Sequence, residues 1–141
     1  MKRIITNSVD ETEVLARDLA LSVSKPCFIA LFGGMGMGKT AFVRGFCKGI
    51  GFEGDVSSPT FSLVHEYHGG KFSVYHFDMY RVVGYESLYS TGFFDFPSES
   101  IIICEWSENI EEFLPDNAIR ITLSRGEQDD QRIFEIEGDI D

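Results

Sequence analysis

Apolar positions in the first third of the chain alternate between helical spacing and one continuous run. Ser8 and Glu11 have the spacing of an N-terminal capping box, and the apolar pattern that follows predicts a helix over residues 9–23. Residues 27–32 form an unbroken apolar run, which is typical of a strand buried on both faces. The next apolar stripe, over residues 42–50, predicts a second helix. The order of these elements is therefore helix, buried strand, helix.

The rest of the chain predicts short strands joined by polar turns. Aromatic and β-branched residues on both sides of a glycine turn indicate a β-hairpin, and alternation near the C-terminus indicates a second one. An isoleucine-rich run between them predicts another buried strand. The expected ranges are 61–67 and 72–77 for the first hairpin, 86–89 for a short helix, 101–104 for the strand, 108–113 for a helix, and 118–124 and 132–137 for the closing hairpin.

Composition narrows the class of protein. A chain of 141 residues with 43% hydrophobic content has the size of one compact domain, so we expect residues 1–141 to form a single domain. No stretch approaches the roughly 20 apolar residues of a membrane span, and no secretory signal is evident, so we expect a cytoplasmic protein without a membrane partner. Three separated cysteines in apolar runs favour buried free thiols over disulfides or zinc ligands.

The net charge of −11 disfavours direct binding of RNA or DNA, because such surfaces normally carry clustered Lys and Arg. Much of the acidic excess lies near the C-terminus. It is either a solvated hairpin and tail or an acidic surface that docks a basic protein.

Residues 33–40 match a phosphate-binding loop: a glycine, four residues, then Gly-Lys-Thr, between a buried strand and a helix. Glycines let backbone N–H groups turn toward phosphate, and the helix N-terminus adds partial positive charge. Lys39 would reach the β- and γ-phosphates of ATP, and Thr40 would ligate Mg²⁺. A glycine turn without a ligand is the alternative. The predicted cofactor-binding residues are Gly33, Gly34, Met35, Gly36, Met37, Gly38, Lys39, Thr40 and Ala41.

Two acids follow predicted strands and are candidates for binding the metal ion or its water shell. Ligands of open α/β sheets gather at the carboxyl ends of the strands, where Asp78 and Glu105 are expected. We assign Glu105 to the metal with Thr40, and Asp78 to the metal's water shell or to orienting the attacking water. The alternatives are a solvated strand end for Glu105 and a turn-capping aspartate for Asp78. The fold class expected from these features is α/β.

With these residues placed, the sequence resembles the TsaE family, formerly YjeE, the ATPase of bacterial tRNA threonylcarbamoyladenosine biosynthesis. The resemblance rests on four motifs: the phosphate loop, Ser-Pro-Thr-Phe at residues 58–61, His-Phe-Asp-Met-Tyr-Arg at 76–81, and Glu-Trp at 105–106. It implies a P-loop NTPase-like three-layer fold with a mostly parallel central sheet and added antiparallel hairpins. It also implies partners, the TsaB and TsaD proteins, whose complex modifies adenosine 37 of tRNA. TsaD performs the transfer, so this chain would be an accessory ATPase that meets tRNA only indirectly.

The resemblance also implies that residues 58–61 act as a switch near the nucleotide. Ser58, Thr60 and Arg81 are accordingly switch or partner candidates, and Asp78, Thr60 and Lys39 are the catalytic candidates. From the residues alone, Thr60 could sense a γ-phosphate or cap the next strand, and Arg81 could stabilise the transition state, hold a partner or form a surface salt bridge.

Two further residues of these motifs are expected to have structural roles, and two positions of the phosphate loop differ from the family pattern. His76 is expected to be a hydrogen-bonded structural histidine, and Trp106 to pack rather than stack on substrate. Family members commonly have an acid at position 34 and a second threonine at position 41, where this chain has Gly34 and Ala41. Phosphate binding requires only the glycines, Lys39 and Thr40, so it should survive these departures.

Three other functions share some of these features. A small-molecule kinase would need a basic lid, and no arginine-rich run provides one. A GTPase would need an Asn-Lys-x-Asp or Thr-Lys-x-Asp segment, which the chain lacks. A nucleotide-dependent scaffold with little hydrolysis stays open. The adenine could be contacted near residues 8–10 or by the hairpin of Arg132, and the sequence does not decide between them.

Overall fold

The structure is a computed structural model that describes residues 2–34, 38–59, 63–95 and 98–138. Within these ranges, seven strands form one sheet in the order β1-β7-β6-β2-β5-β4-β3. The strands are β1 (Lys2–Thr6), β2 (Phe28–Phe32), β3 (Val64–Tyr67), β4 (Val74–Asp78), β5 (Ile101–Glu105), β6 (Ile119–Arg125) and β7 (Arg132–Glu137). The helices are α1 (Val9–Leu21), α2 (Lys39–Ile50), α3 (Gly84–Ser90) and the 3₁₀ helices Phe93–Asp95 and Ser107–Phe113.

The centre of the sheet is parallel and its two sides are antiparallel. Strand β2 pairs in parallel with β5 and β6, and β5 pairs in parallel with β4. The β3–β4 and β6–β7 hairpins and the β1–β7 pair are antiparallel. This arrangement confirms the α/β class and both predicted hairpins.

Helices cover both faces of the sheet because its central strands are apolar on both sides. Ile29 and Leu31 of β2 belong to a core shared with α1 and α2, whereas Phe28 and Ala30 face a second core. Leu88 of α3 lies in that second core. The continuous apolar run of β2 is thus explained by two buried faces.

Helices α1 and α2 lie against each other at two glycines of α2. A Cβ atom at Gly45 would lie 2.3 Å from the carbonyl oxygen of Glu13, and one at Gly49 would lie 2.6 Å from the carbonyl oxygen of Arg17. Both obstacles are backbone atoms of α1. The close contact positions the N-terminus of α1 near the start of α2, where the phosphate loop ends.

Several elements differ from the prediction. Helix α1 ends at Leu21 rather than at residue 23, because the hydroxyl of Ser22 donates to the Leu19 carbonyl oxygen at 2.7 Å and competes with helical pairing. The Ser8 hydroxyl caps the N–H of Glu11 at 3.1 Å as expected, but the Glu11 carboxylate accepts from the N–H of Asn7, one residue earlier than in a standard capping box.

Other differences concern strands and short helices. Strand β1 was not predicted. Strand β3 begins at Val64, and residues 61–62 of the expected strand lie outside the described residues. The predicted helix over 108–113 is a 3₁₀ helix that begins at Ser107 and kinks at Ile110, where φ is −129°. Among the described residues, no helix combines the length and the apolar character that crossing a membrane requires.

Candidate functional site

The carboxyl ends of the parallel strands meet at one edge of the sheet and border a cavity of about 770 Å³. Asp78 of β4 and Glu105 of β5 are register partners there, so the two predicted acids lie side by side on neighbouring strands. A cavity of this size is in the usual range for small-molecule sites. Its lining comprises Ser8, Val9, Thr12, Gly38, Lys39, Thr40, Ala41, Ser58, Asp78, Tyr80, Arg81, Glu105, Trp106, Asp130 and Arg132.

The phosphate loop connects the end of β2 to the start of α2. Gly33 has φ of 136°, and a Cβ atom there would lie 2.6 Å from the Leu123 carbonyl oxygen, so both conformation and space require glycine. Gly38 has φ of 94° and is the N-cap of α2. The described part of the loop also includes Gly34, while Met35, Gly36 and Met37 lie outside the described residues.

Lys39 is held in the cavity wall by two contacts. Its Nζ donates to the Gly33 carbonyl oxygen at 2.6 Å and lies 4.0 Å from the centre of the Trp106 ring. Burial lowers the pKa of Lys39 from its ordinary value of 10.5, and the carboxylates of Glu105, Glu108 and Asp78 act against that shift. Because the Lys39 ammonium is already buried, exchanging its carbonyl partner for a phosphate requires little extra desolvation.

Glu105 is buried, with 4% of its surface exposed, so the alternative of a solvated strand end is wrong. Its Oε2 atom lies 2.5 Å from Nε2 of His76, which is itself fully buried. The other ring nitrogen of His76, Nδ1, lies 3.1 Å from the hydroxyl of Tyr67. The expectation that His76 is hydrogen-bonded is confirmed.

Asp78 has both of its oxygens occupied by hydrogen bonds. Oδ1 accepts from the N–H of Tyr80 at 2.9 Å, and Oδ2 accepts from the hydroxyl of Ser58 at 3.4 Å. The first contact is the turn-capping arrangement that the sequence left as an alternative. The second connects Asp78 to Ser58, which is one of the two switch candidates that lie in the described residues; the other is Arg81.

The donor set at this edge suits a magnesium ion that is bound together with phosphate. The described residues contain no group of three or more His, Cys, Asp and Glu side chains that could hold a metal ion by themselves. Nucleotide-bound Mg²⁺ usually takes only one or two protein carboxylates and fills its other positions with water and phosphate oxygens. Thr40 and Glu105 both line the cavity and offer hard oxygen donors, so they fit that arrangement.

The sequence missed one residue that holds the phosphate loop and left other cavity residues open. Glu108 accepts from the backbone N–H of Gly33 at 2.8 Å and so holds the first glycine of the loop, although it was predicted only as a helix start. The start of α1, with Ser8, and the hairpin of Arg132 line the same cavity, so both alternatives for the base lie beside it. Arg81 is exposed and lines the cavity.

Trp106 packs against two other side chains of the cavity lining. The Trp106 ring packs against Tyr80 with 4.8 Å between ring centres and against the Lys39 ammonium, so its packing includes a cation–π contact. Thr60 lies outside the described residues, as does Phe61.

The chain is similar in sequence to proteins of one family. A family model described as "Threonylcarbamoyl adenosine biosynthesis protein TsaE" matches residues 6–134. A Haemophilus influenzae protein named tRNA threonylcarbamoyladenosine biosynthesis protein TsaE is 40% identical over 84% of this chain and 74% of its own length. A Bacillus subtilis protein of the same name is 33% identical over 91% of this chain and 80% of its own length.

The chain is also similar in fold to a solved structure. The crystal structure of YdiB from Bacillus subtilis matches with a TM-score of 0.77 and 30% identity, covering 94% of this chain and 82% of that one. The range matched by the family model includes all the described residues that line the cavity.

Proposed function

Because the chain belongs to the TsaE family of tRNA threonylcarbamoyladenosine biosynthesis proteins, we propose that it is a magnesium-dependent ATPase that supports this modification. The observation that carries the proposal is the convergence of Lys39, Thr40, Asp78 and Glu105 on one cavity. These are the charge, the hydroxyl and the two carboxylates that phosphate-loop NTPases use on a nucleotide with its metal ion. The strand, loop and helix around them have the order of a P-loop NTPase fold.

Each side chain has a distinct part in this proposal. The amides at the start of α2 and the Lys39 ammonium hold the β- and γ-phosphates, which requires Nζ to leave the Gly33 carbonyl oxygen. Thr40 and Glu105 hold the magnesium ion, directly or through water. When bound, the ion neutralises charge that develops on the phosphate oxygens. Asp78 orients the attacking water, and Thr60, Ser58 and Arg81 respond to the γ-phosphate or to a partner.

The nucleoside would lie between the start of α1 and the β6–β7 turn. Ser8, Val9 and Thr12 line the cavity from one side, and Asp130 and Arg132 line it from the other. Val9 can pack on a base, while the remaining side chains offer hydrogen-bond donors and acceptors to base or ribose.

We further propose that the ATPase acts on a complex of the TsaB and TsaD proteins and meets tRNA only through them. The net charge of −11 favours a protein partner over direct RNA contact. Large apolar side chains are exposed within residues 80–94, and such patches mark interaction surfaces. They are Tyr80, Val83, Tyr85, Tyr89 and Phe94, of which Tyr80 also lines the cavity.

Calorimetric titration with ATP, ADP and GTP, each with and without Mg²⁺, tests the site. The proposal predicts ATP binding that Mg²⁺ strengthens, weaker GTP binding, and release of inorganic phosphate on longer incubation. Phosphorylation of an added metabolite would indicate a small-molecule kinase instead. Tight ATP binding without any turnover would indicate a nucleotide-dependent scaffold, and no nucleotide binding would contradict the assignment of the cavity.

A further inference from the structure

A line of hydrogen bonds runs from the metal edge of the cavity to the backbone of residues 57–59. Starting at Glu105, it passes through both ring nitrogens of His76 to the hydroxyl of Tyr67, at 2.5 Å and 3.1 Å. The Tyr67 hydroxyl donates to the Ser57 carbonyl oxygen at 3.2 Å. Three strands therefore contribute one side chain each: β5, β4 and β3.

The three side chains of this line of hydrogen bonds are buried. His76 is fully buried, Glu105 is 4% exposed and Tyr67 is 4% exposed. Burial raises the pKa of Tyr67 to about 12, so its hydroxyl keeps the proton that it donates to Ser57. Polar groups at this depth strengthen one another's contacts and are costly to leave unpaired, so a change at one member is felt by the next.

The segment at the far end is attached to the cavity by a second contact. The Ser58 hydroxyl donates to Asp78, which neighbours Glu105 across β4 and β5. The Ser57 carbonyl oxygen also lies 3.0 Å from Nδ1 of His65. Residues 57–59 are thus connected to both edge carboxylates, directly to one and through two buried side chains to the other.

We propose that Tyr67 and His76 are positioning residues, which couple the orientation of the Glu105 carboxylate to the backbone of residues 57–59. The part of this inference that concerns Mg²⁺ rests on the proposed ATPase function, since Glu105 is its assigned metal ligand. The coupling itself is a property of the chain without any ligand. Like any coupling between two sites, it acts in both directions.

The first experiment reads the coupling in the ligand-free protein. The N–H of Leu63 donates to the Pro59 carbonyl oxygen at 2.9 Å, so its hydrogen exchange measured by NMR reports how firmly residues 57–59 are held. Tyr67→Phe, which removes one hydroxyl and keeps the ring, should speed exchange of the Leu63 amide by about fivefold, the loss of one ordinary hydrogen bond.

A matched control exists on the same hairpin. Tyr75 lies on β4, alternates to the opposite face of the sheet from His76 and belongs to the second core. Tyr75→Phe should leave exchange at Leu63 unchanged. Equal acceleration by both substitutions would mean that exchange follows the stability of the hairpin, and the proposal would fail.

The second experiment changes Glu105, at the cavity, and measures amide exchange at Leu63, next to residues 57–59. Glu105→Gln, or Glu105→Ala if the first variant exchanges as the wild type does, should speed exchange at Leu63 in the wild-type background. The same change should have little effect in the Tyr67→Phe background, where the line is already interrupted. Effects of Glu105 variants that are absent, or equal in both backgrounds, would overturn the proposal.

The third experiment separates positioning from a structural role through magnesium. Trp106 is the single tryptophan of the chain and lines the cavity, so its fluorescence can follow nucleotide binding. Tyr67→Phe should raise the Mg²⁺ concentration needed for half-maximal ATP binding several-fold while leaving Mg²⁺-free ADP affinity unchanged. Equal losses in both titrations would show a merely structural role for Tyr67.

The outcomes distinguish this proposal from the proposed function. If Glu105 and Tyr67 variants change Leu63 exchange as expected but the protein binds no ATP, the coupling proposal stands and the ATPase function is contradicted. If the protein binds ATP with Mg²⁺ but these variants do not change Leu63 exchange as expected, the ATPase function stands and the coupling proposal is contradicted.

Discussion

Lys39 is the single charge on which phosphate binding depends most in this account. We expect Lys39→Met to weaken ATP binding at least about thirtyfold, because truncating one partner of a buried charge pair costs about 2 kcal/mol or more. The fold should persist, since burial already disfavours the charged form and so lowers the pKa of Lys39, and a methionine is an apolar side chain of similar size for this buried position. Calorimetry and thermal unfolding measure the two effects.

A lysine on the same helix provides the control. Lys48 is exposed and pairs with Glu13 at 3.4 Å, so Lys48→Met removes a surface charge from α2 without touching the cavity. It should bind ATP like the wild type. A Lys39→Met protein that is folded and binds ATP normally would contradict the phosphate-loop assignment.

Thr40 and Glu105 are proposed to act through the metal ion rather than on the nucleotide. Thr40→Ala and Glu105→Gln should therefore weaken ATP binding in Mg²⁺ by about tenfold, the effect of one charge-assisted contact, and leave ADP binding in EDTA nearly unchanged. Glutamine is preferable to alanine at position 105 because its amide can keep a hydrogen bond to buried His76. Parallel losses in Mg²⁺ and in EDTA would instead indicate direct contact with the nucleotide or a damaged fold.

At the scale of residues, sequence predicts those parts of the site that lie next to a recognisable element. Asp78 and Glu105 could be placed at one edge because each follows an apolar run, and parallel strands end together. The contact between Glu108 and Gly33 could not be predicted, because it joins residues 75 positions apart and no motif requires it. The path from Glu105 to Tyr67 escaped prediction for the same reason, since it depends on strand order and register.

At the scale of elements, the contact between α1 and α2 depends on the absence of side chains on one face of α2. Gly45→Ala would place a Cβ atom 2.3 Å from the Glu13 carbonyl oxygen and 2.7 Å from its Cα atom. Backbone atoms cannot move aside cheaply, so we expect a loss of about 1–3 kcal/mol in the free energy of unfolding. Urea unfolding measures it.

Gly34→Ala is the matched control, because a Cβ atom at Gly34 meets nothing within 4 Å. Its unfolding free energy should stay within about 0.5 kcal/mol of the wild type. Equal stability of the Gly45 and Gly34 variants would show that the two helices can separate without cost.

Elements with local signals were predicted and those that depend on distant partners were not. The order of β2, loop and α2 follows from apolar patterning and glycines within one short stretch. Strand β1 is different: it starts with Lys2 and Arg3, lies at the edge of the sheet, and exists by pairing with β7 at the other end of the chain. Similarly, the Ser107–Phe113 segment is a 3₁₀ helix with a kink at Ile110, whereas the apolar pattern predicted an ordinary helix.

At the scale of the whole molecule, buried thiols make folding stability sensitive to alkaline pH. Burial raises the pKa of Cys47 from 9.0 to about 12. Above about pH 9 the unfolded chain loses this proton and the folded chain keeps it, so the unfolded state is favoured as pH rises. Between pH 9 and 12, Cys47 should lower the free energy of unfolding by up to about 1.4 kcal/mol per pH unit.

Comparison with Cys47→Ala isolates this contribution from other alkaline titrations. The variant should be less stable at neutral pH because of a small cavity, but its stability should fall less steeply above pH 9. Urea unfolding at several pH values between 7 and 11 gives the two slopes. Parallel slopes across that range would contradict the assigned shift of the Cys47 thiol.

The proposed function is ATP hydrolysis by this chain on behalf of a TsaB–TsaD complex. Its own cavity offers Asp78 as the acid assigned to the attacking water, and Arg81, which lines the cavity, is assigned either to the γ-phosphate or to a partner. A group supplied from a partner can be worth about 10³ to 10⁵ in rate in related NTPases, so hydrolysis by the chain alone should be slow.

The most direct measurement is steady-state ATP turnover at saturating Mg²⁺, with and without purified TsaB and TsaD from the same source. The proposed function predicts slow turnover by the chain alone and at least about tenfold faster turnover with both partners. Lys39→Met should abolish this turnover. If the partners neither bind the chain nor change its turnover in ATP or ADP, the accessory-ATPase function is contradicted.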